Sequence, residues 1–164
     1  MTDSQTYVLD ANVFIEAAKR YYAFDIVPSF WKMLVAKADN GDVSSIDRVR
    51  IELLRADLSL WANSEFHDFF ISTSDPIVIA SYREVMAWSQ SQSQFTEAAK
   101  AQFASVADGW LIAYALAKGR VVVTEERLDP NIKRKVKIPN VCQAFDVRYI
   151  DTFQMMREMG VRLG

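Results

Sequence analysis

What this chain lacks narrows it before any motif is read. Its single cysteine, Cys142, excludes a disulfide within the chain and fits a reducing compartment. Its single histidine, His67, leaves no pair of imidazoles for a two-histidine ribonuclease mechanism and stands in no metal-ligand spacing, so we take it as structural. Cys142 has no companion signature that would make it a nucleophile. No apolar run is long enough to span a bilayer and no signal-peptide pattern is present, so a cytoplasmic protein away from membranes is expected. Positive charge is also in short supply. With a net charge of −2, the chain has no global field to draw it onto nucleic acid. A nuclease that reaches phosphate through bound ions survives that test, because the ions bring the local positive charge.

What is present suffices for one domain. The 164 residues are 51% apolar, enough for one packed core and too few for two of ordinary size, so residues 1–164 are read as a single unit. Apolar periodicity predicts strands over residues 6–10, 43–46, 69–72, 120–124 and 147–150. Helices are predicted over 12–22, 28–38, 47–56, 58–64, 76–89, 95–103, 106–118, 140–145 and 152–159. The run Ser89-Gln90-Ser91-Gln92-Ser93-Gln94 is the only low-complexity stretch, either a flexible link or the tip of a helical hairpin. Strands alternating with helices predict an α/β sandwich with a mainly parallel sheet, whose ligands bind beyond the carboxyl ends of the strands.

Acidic residues stand at those ends and inside apolar surroundings. Asp10 closes the run Tyr7-Val8-Leu9, and Glu125-Glu126 follow Val121-Val122-Val123-Thr124. Asp108 lies in an Ala- and Leu-rich helix with no basic residue three or four positions away, beside a Gly109 that suggests tight packing. Glu52 sits at the edge of the stripe Val49, Leu53, Ala56 and Leu60. The plain alternative for Glu52 is an ion pair with Arg48 or Arg55, and for Asp10 a helix N-cap, a role that Asn12 also fits. An isolated carboxylate in apolar surroundings is costly, so several of them point to a shared cation. Oxygen ligands without histidine or cysteine select Mg²⁺ or Mn²⁺ over zinc.

These segments resemble a known family. Leu9-Asp10-Ala11-Asn12-Val13-Phe14-Ile15 is similar to the opening motif of PIN domains, the metal-dependent ribonucleases that include VapC-type toxins. Ala107-Asp108-Gly109-Trp110-Leu111-Ile112-Ala113-Tyr114-Ala115 resembles the family's second motif, and Val121-Val122-Val123-Thr124-Glu125-Glu126 its strand ending in Thr-x-Asp. Glu52 falls where the family has a helical Glu, and Ile138-Pro139-Asn140-Val141-Cys142 resembles the segment before the last helix and strand. The fourth acid departs from the pattern: Glu126 stands in the usual Asp position, with Glu125 as the alternative.

The resemblance implies a PIN-like three-layer sandwich with a central five-stranded sheet in the order 3-2-1-4-5. It also implies a metal-dependent endoribonuclease, the toxin of a toxin–antitoxin pair, with an RNA substrate, a cognate antitoxin and a homodimer. Asp10, Glu52, Asp108 and Glu126 would be the catalytic and Mg²⁺- or Mn²⁺-binding acids, oriented by Asn12 and Thr124. Lys133, Arg134, Lys135 and Lys137 follow the fourth strand and are the candidate RNA contacts, their plain alternative being a solvated loop. Two other readings remain, a catalytically silent module of the same fold and an RNA-processing nuclease that is not a toxin. A haloacid-dehalogenase-like phosphatase would need a second Asp at position 12, where this chain has Asn12.

Overall fold

Tyr7-Val8-Leu9 is buried along its whole length, and so is Val121-Val122-Val123. Parallel strands covered on both faces read as continuous apolar runs, and these two lie side by side at the centre of the sheet. The computed structural model describes residues 5–164. Its strands β1 (Tyr7–Leu9), β2 (Val43–Ile46), β3 (Phe70–Ile71), β4 (Val121–Val123) and β5 (Tyr149–Ile150) take the order β3-β2-β1-β4-β5. All pairings are parallel, with Val8 opposite Ser44 on one side and Val122 on the other. Order, direction and the central place of β1 agree with the sequence reading, while all strands but β2 are shorter than expected.

Nine α-helices flank the sheet among the described residues: α1 (Ala11–Glu16), α2 (Pro28–Asp39), α3 (Asp47–Arg50), α4 (Ala56–Ser64), α5 (Pro76–Ser91), α6 (Glu97–Ser105), α7 (Asp108–Lys118), α8 (Ile138–Ala144) and α9 (Thr152–Glu158). The result is the expected three-layer α/β sandwich. α1 places Phe14 in an aromatic cluster, its ring centroid 6.0 Å from Trp61 and 5.7 Å from Phe66. Gly119 stops α7 with φ +67, a conformation that costs glycine least.

Three elements correct the sequence reading. The helix expected over 12–22 widens into a π-helical stretch at Ala17–Tyr21. The helix expected over 47–56 ends at Arg50, and the chain turns through Ile51 and Glu52 before α4 begins. Its apparent stripe is broken accordingly: Leu53 is buried but Leu60 is 72% exposed. The helix expected over 106–118 starts at Asp108, because Val106 is extended (φ −112, ψ 172) and separates α6 from α7. Gly109 is thus in the first turn rather than mid-helix. The tight packing is real, since a Cβ there would lie 2.5 Å from the Met86 side-chain end on α5. The Ser/Gln run is the turn of a helical hairpin, with α5 continuing to Ser91 and α6 capped by the Thr96 hydroxyl, which accepts from the Ala99 amide at 3.1 Å.

Candidate active site

The carboxyl ends of β1 and β4 put Asp10 next to Thr124. The pairing of Leu9 with Val123 fixes this, since each residue is one beyond the paired position. Asp10 is 2% exposed and stands at the N-cap of α1, yet its side chain makes no capping bond. Its Oδ2 instead accepts from the Thr124 hydroxyl at 3.0 Å. The N-cap alternative therefore does not account for Asp10. Burial raises its pKa well above the usual carboxylate range, and the charges of Asp108 and Glu126 push it further.

Asp108 comes to the same cleft from the first turn of α7, where the helix dipole favours a negative side chain. Burial again comes first among the causes that raise its pKa, here to about 7, followed by the charge of Glu126; Glu52 adds a smaller push and Lys135 opposes. Glu52 is joined to this helix by an unforeseen contact. Its Oε2 accepts from the Ala107 amide at 2.9 Å, so a carboxylate 55 positions away serves an N-terminus that has no side-chain cap of its own. The arginines that would have made Glu52 an ordinary surface pair are engaged elsewhere. Arg48 stacks on Trp110 at 4.0 Å and donates to Thr73, while Arg55 pairs with Asp57 at 2.9 Å.

The two adjacent glutamates part ways. Glu125 Oε1 accepts from the amide and hydroxyl of Thr152, which ties it to the start of α9. Glu126 turns inward, with its amide donating to the Thr124 hydroxyl at 3.1 Å, and its charge reaches both Asp10 and Asp108. Thr124 thereby links Asp10 to Glu126. The Glu126 side chain is 9% exposed, and its Oε1 is buried without a hydrogen-bond donor, although Lys135 Nζ lies 3.3 Å away. That nitrogen supplies charge but not an aligned hydrogen bond.

Two depressions open onto these acids and share Asn12. The smaller is lined by Glu52, Asp108, Gln102 and Lys135. The larger, about 570 Å³, is lined by Thr124, Glu125, Glu126 and Arg127, with Tyr21 and Tyr149 at its sides. Of the four candidate RNA contacts, Lys133 and Arg134 are exposed and Lys137 is half-buried at the start of α8. Lys135 is directed at Glu126 instead of outward. Sequence reasoning missed this ion pair and the lining residues Arg127 and Tyr149, because the path of residues 125–137 is set by tertiary contacts. His67 is a surface residue beside Asp68, not a core one, and no metal-ligand set forms around it among the described residues.

A hard divalent cation suits this donor set: oxygen ligands only, the buried Asp10 and half-buried Asp108 both with raised pKa, and one buried carboxylate oxygen with no hydrogen bond. As the side chains stand, no three His, Cys, Asp or Glu groups among the described residues are drawn together closely enough to hold an ion.

Comparison with known proteins places the chain by family and by fold. Residues 7–163 match the model of a family described as a domain of unknown function, DUF4411. A search of the curated proteins gives no match. Among solved structures, FitAcB from Neisseria gonorrhoeae superposes with a TM-score of 0.51 at 18% identity, over 88% of this chain and 96% of that one. VapBC2 from Rickettsia felis, bound to a DNA fragment from their promoter, superposes with a TM-score of 0.54 at 14% identity, over 90% and 98%. At such identities the likeness is one of fold, and the fold is PIN-like, as the motifs implied.

Proposed function

The chain belongs to the DUF4411 family, and from its PIN-like fold and the acids gathered at the ends of β1 and β4 we propose that it is a metal-dependent endoribonuclease, the toxin of a toxin–antitoxin pair. One observation carries the reading. Asp10 is buried and Asp108 half-buried near Glu52 and Glu126, each pushed toward its neutral form by burial and by the other acids, an arrangement that makes sense where a cation is to be bound.

Asp10, Glu52, Asp108 and Glu126 would hold Mg²⁺ or Mn²⁺. When bound, the ion supplies a lowered pKa for the attacking water and charge to offset the phosphate. The Thr124 hydroxyl, donating to Asp10 and accepting from the Glu126 amide, fixes the orientation of one acid and the backbone of another. Asn12 faces both depressions and is placed to orient substrate or acid. Tyr21, 55% exposed, and Tyr149 offer ring faces beside the larger depression, and Arg127 offers charge there. Unpaired RNA is the substrate that suits them, because its bases can be splayed out and stacked. Lys133 and Arg134 would meet the phosphate backbone.

A cognate antitoxin and a homodimer are the partners that go with this reading, in a cytoplasmic setting. The test is cleavage of a single-stranded RNA. Activity is expected with Mg²⁺ or Mn²⁺, lost with chelator, and lower by orders of magnitude in Asp10→Asn. Cleavage that persists in both conditions would sink the proposal. Stable folding without ion uptake or cleavage would favour the silent module. Growth arrest on expression, relieved in Asp10→Asn, separates a toxin from a processing nuclease.

A further inference from the structure

We propose that Lys135 serves as a built-in second cation of the acidic cleft, so that the cleft takes up one divalent ion and not two. The inference rests on the metal-dependent reading above and deepens it.

Four observations carry it. The Lys135 ammonium lies 3.3 Å from a Glu126 carboxylate that is 9% exposed, so the charge it offsets is largely out of water, where an unpaired carboxylate is costly. Its charge also reaches Asp108, opposing the effects of burial and of Glu126. It lines the smaller depression together with Glu52 and Asp108, its side chain 40% exposed and its ammonium turned to the acids.

The fourth observation is the anchoring of the loop that delivers it. The Gln94 side chain donates to the carbonyls of Pro130 and Ile132 at 2.8 and 2.7 Å. The Thr96 amide donates to the Lys133 carbonyl at 2.9 Å, and Asn140 donates to the Asp129 carbonyl at 2.9 Å. Val136, the next residue after Lys135, is buried in the core. A lysine on a loose surface loop would have to order backbone as well as side chain on pairing, but here the backbone on both sides is already fixed and only rotamer freedom is lost. The Ser/Gln hairpin tip, which no catalytic reading of the sequence used, is what anchors this loop.

A second divalent ion beside Glu126 would have to displace that ammonium or share its oxygen with it. The first ion remains the task of Asp10, Asp108 and Glu52, with Glu126 offering it only the oxygen that Lys135 does not face. In two-ion phosphodiester hydrolysis the second ion neutralises charge on the leaving oxygen. The Lys135 ammonium would provide that charge electrostatically, with no proton transfer asked of it.

The experiment counts bound Mn²⁺ on the full chain by loss of the free-ion EPR signal, for the wild type, Lys135→Arg and Lys135→Gln. Circular dichroism confirms that each is folded. One ion per chain is expected in the wild type and in Lys135→Arg, which keeps the positive charge. Two are expected in Lys135→Gln, with the broadened signal of a coupled pair. Two ions in the wild type would overturn the role of Lys135 while leaving the metal-dependent reading intact. One ion in all three proteins would overturn it as well. No uptake by any of them would remove the metal-dependent reading and this inference together.

Discussion

Glu52 both accepts the Ala107 amide and adds its charge to Asp108, and two substitutions pull these roles apart. Glu52→Gln keeps an acceptor oxygen for the amide, so urea denaturation should show a stability within about 0.5 kcal/mol of wild type, as for ordinary near-isosteric changes. Glu52→Ala leaves the start of α7 uncapped and should cost about 1–2 kcal/mol, the usual effect of removing an N-terminal acceptor. Both should weaken the stabilisation by Mn²⁺. If the proposed ion binds, Asp108 would set the pH at which that stabilisation appears. Its pKa in the folded chain is raised to about 7, chiefly by burial, so the proton must leave before an ion can bind. The rise in melting temperature at millimolar Mn²⁺ should therefore be small at pH 5.5, grow through pH 7 and level off near pH 8. Without ions the sign reverses. A raised folded pKa contributes stability at pH values below the ordinary carboxylate pKa, and that contribution is lost as pH rises through about 7. Asp108→Asn should flatten this decline. An Mn²⁺ effect of equal size at pH 5.5 and pH 8 would contradict both statements.

At the scale of elements, a polar cluster around Glu158 joins the last strand and the last helix to the centre of the sheet. Arg148 beside β5 makes a two-pronged pair with Glu158 at the end of α9, its Nη1 donating at 2.9 Å, and the Tyr7 hydroxyl of β1 donates to the same carboxylate at 2.8 Å. The Arg148 hydrogen bond, first among the causes, holds the Glu158 carboxyl down at about 2. A lowered folded pKa contributes stability above the ordinary carboxylate value that is lost as pH falls through the folded one. Arg148→Ala should therefore melt lower than wild type at pH 7, and the gap should close as pH falls from about 4.5 toward 2. Calorimetry at both ends checks this, and a gap that widens in acid would refute it. The sheet was legible because buried parallel strands carry their signal in single runs such as Val121-Val122-Val123. The break between α6 and α7 was placed two residues early, because Val106 and Ala107 carry no glycine or proline to mark the turn. Glu52 misled in the other direction. The spacing of Val49, Leu53, Ala56 and Leu60 obeys a helical period that the chain abandons after Arg50. Asp10, Asp108 and Thr124 could be singled out by type and position, whereas the pairing of Lys135 with Glu126 depends on a loop fixed from the far side by Gln94.

Across the whole molecule, stability and the site draw on opposite faces of the same short helix. α1 carries Asn12 toward the acids and Phe14 into the aromatic cluster. Phe14→Ala should cost about 3–5 kcal/mol by emptying a fully buried ring position, measured as a fall in the urea midpoint with little change in slope. The same separation of duties runs along the chain. The Asp10–Thr124 bond closes over 114 residues, and Ala107–Glu52 over 55. Such contacts form late, since closure entropy must be met before they stabilise anything. During synthesis, then, Asp10 leaves the ribosome long before its partners exist. On the proposed reading, a nascent chain would lack its site until β4 has emerged to pair with β1. A protein whose proposed chemistry attacks RNA would thus be inert for most of the time it spends next to its own message.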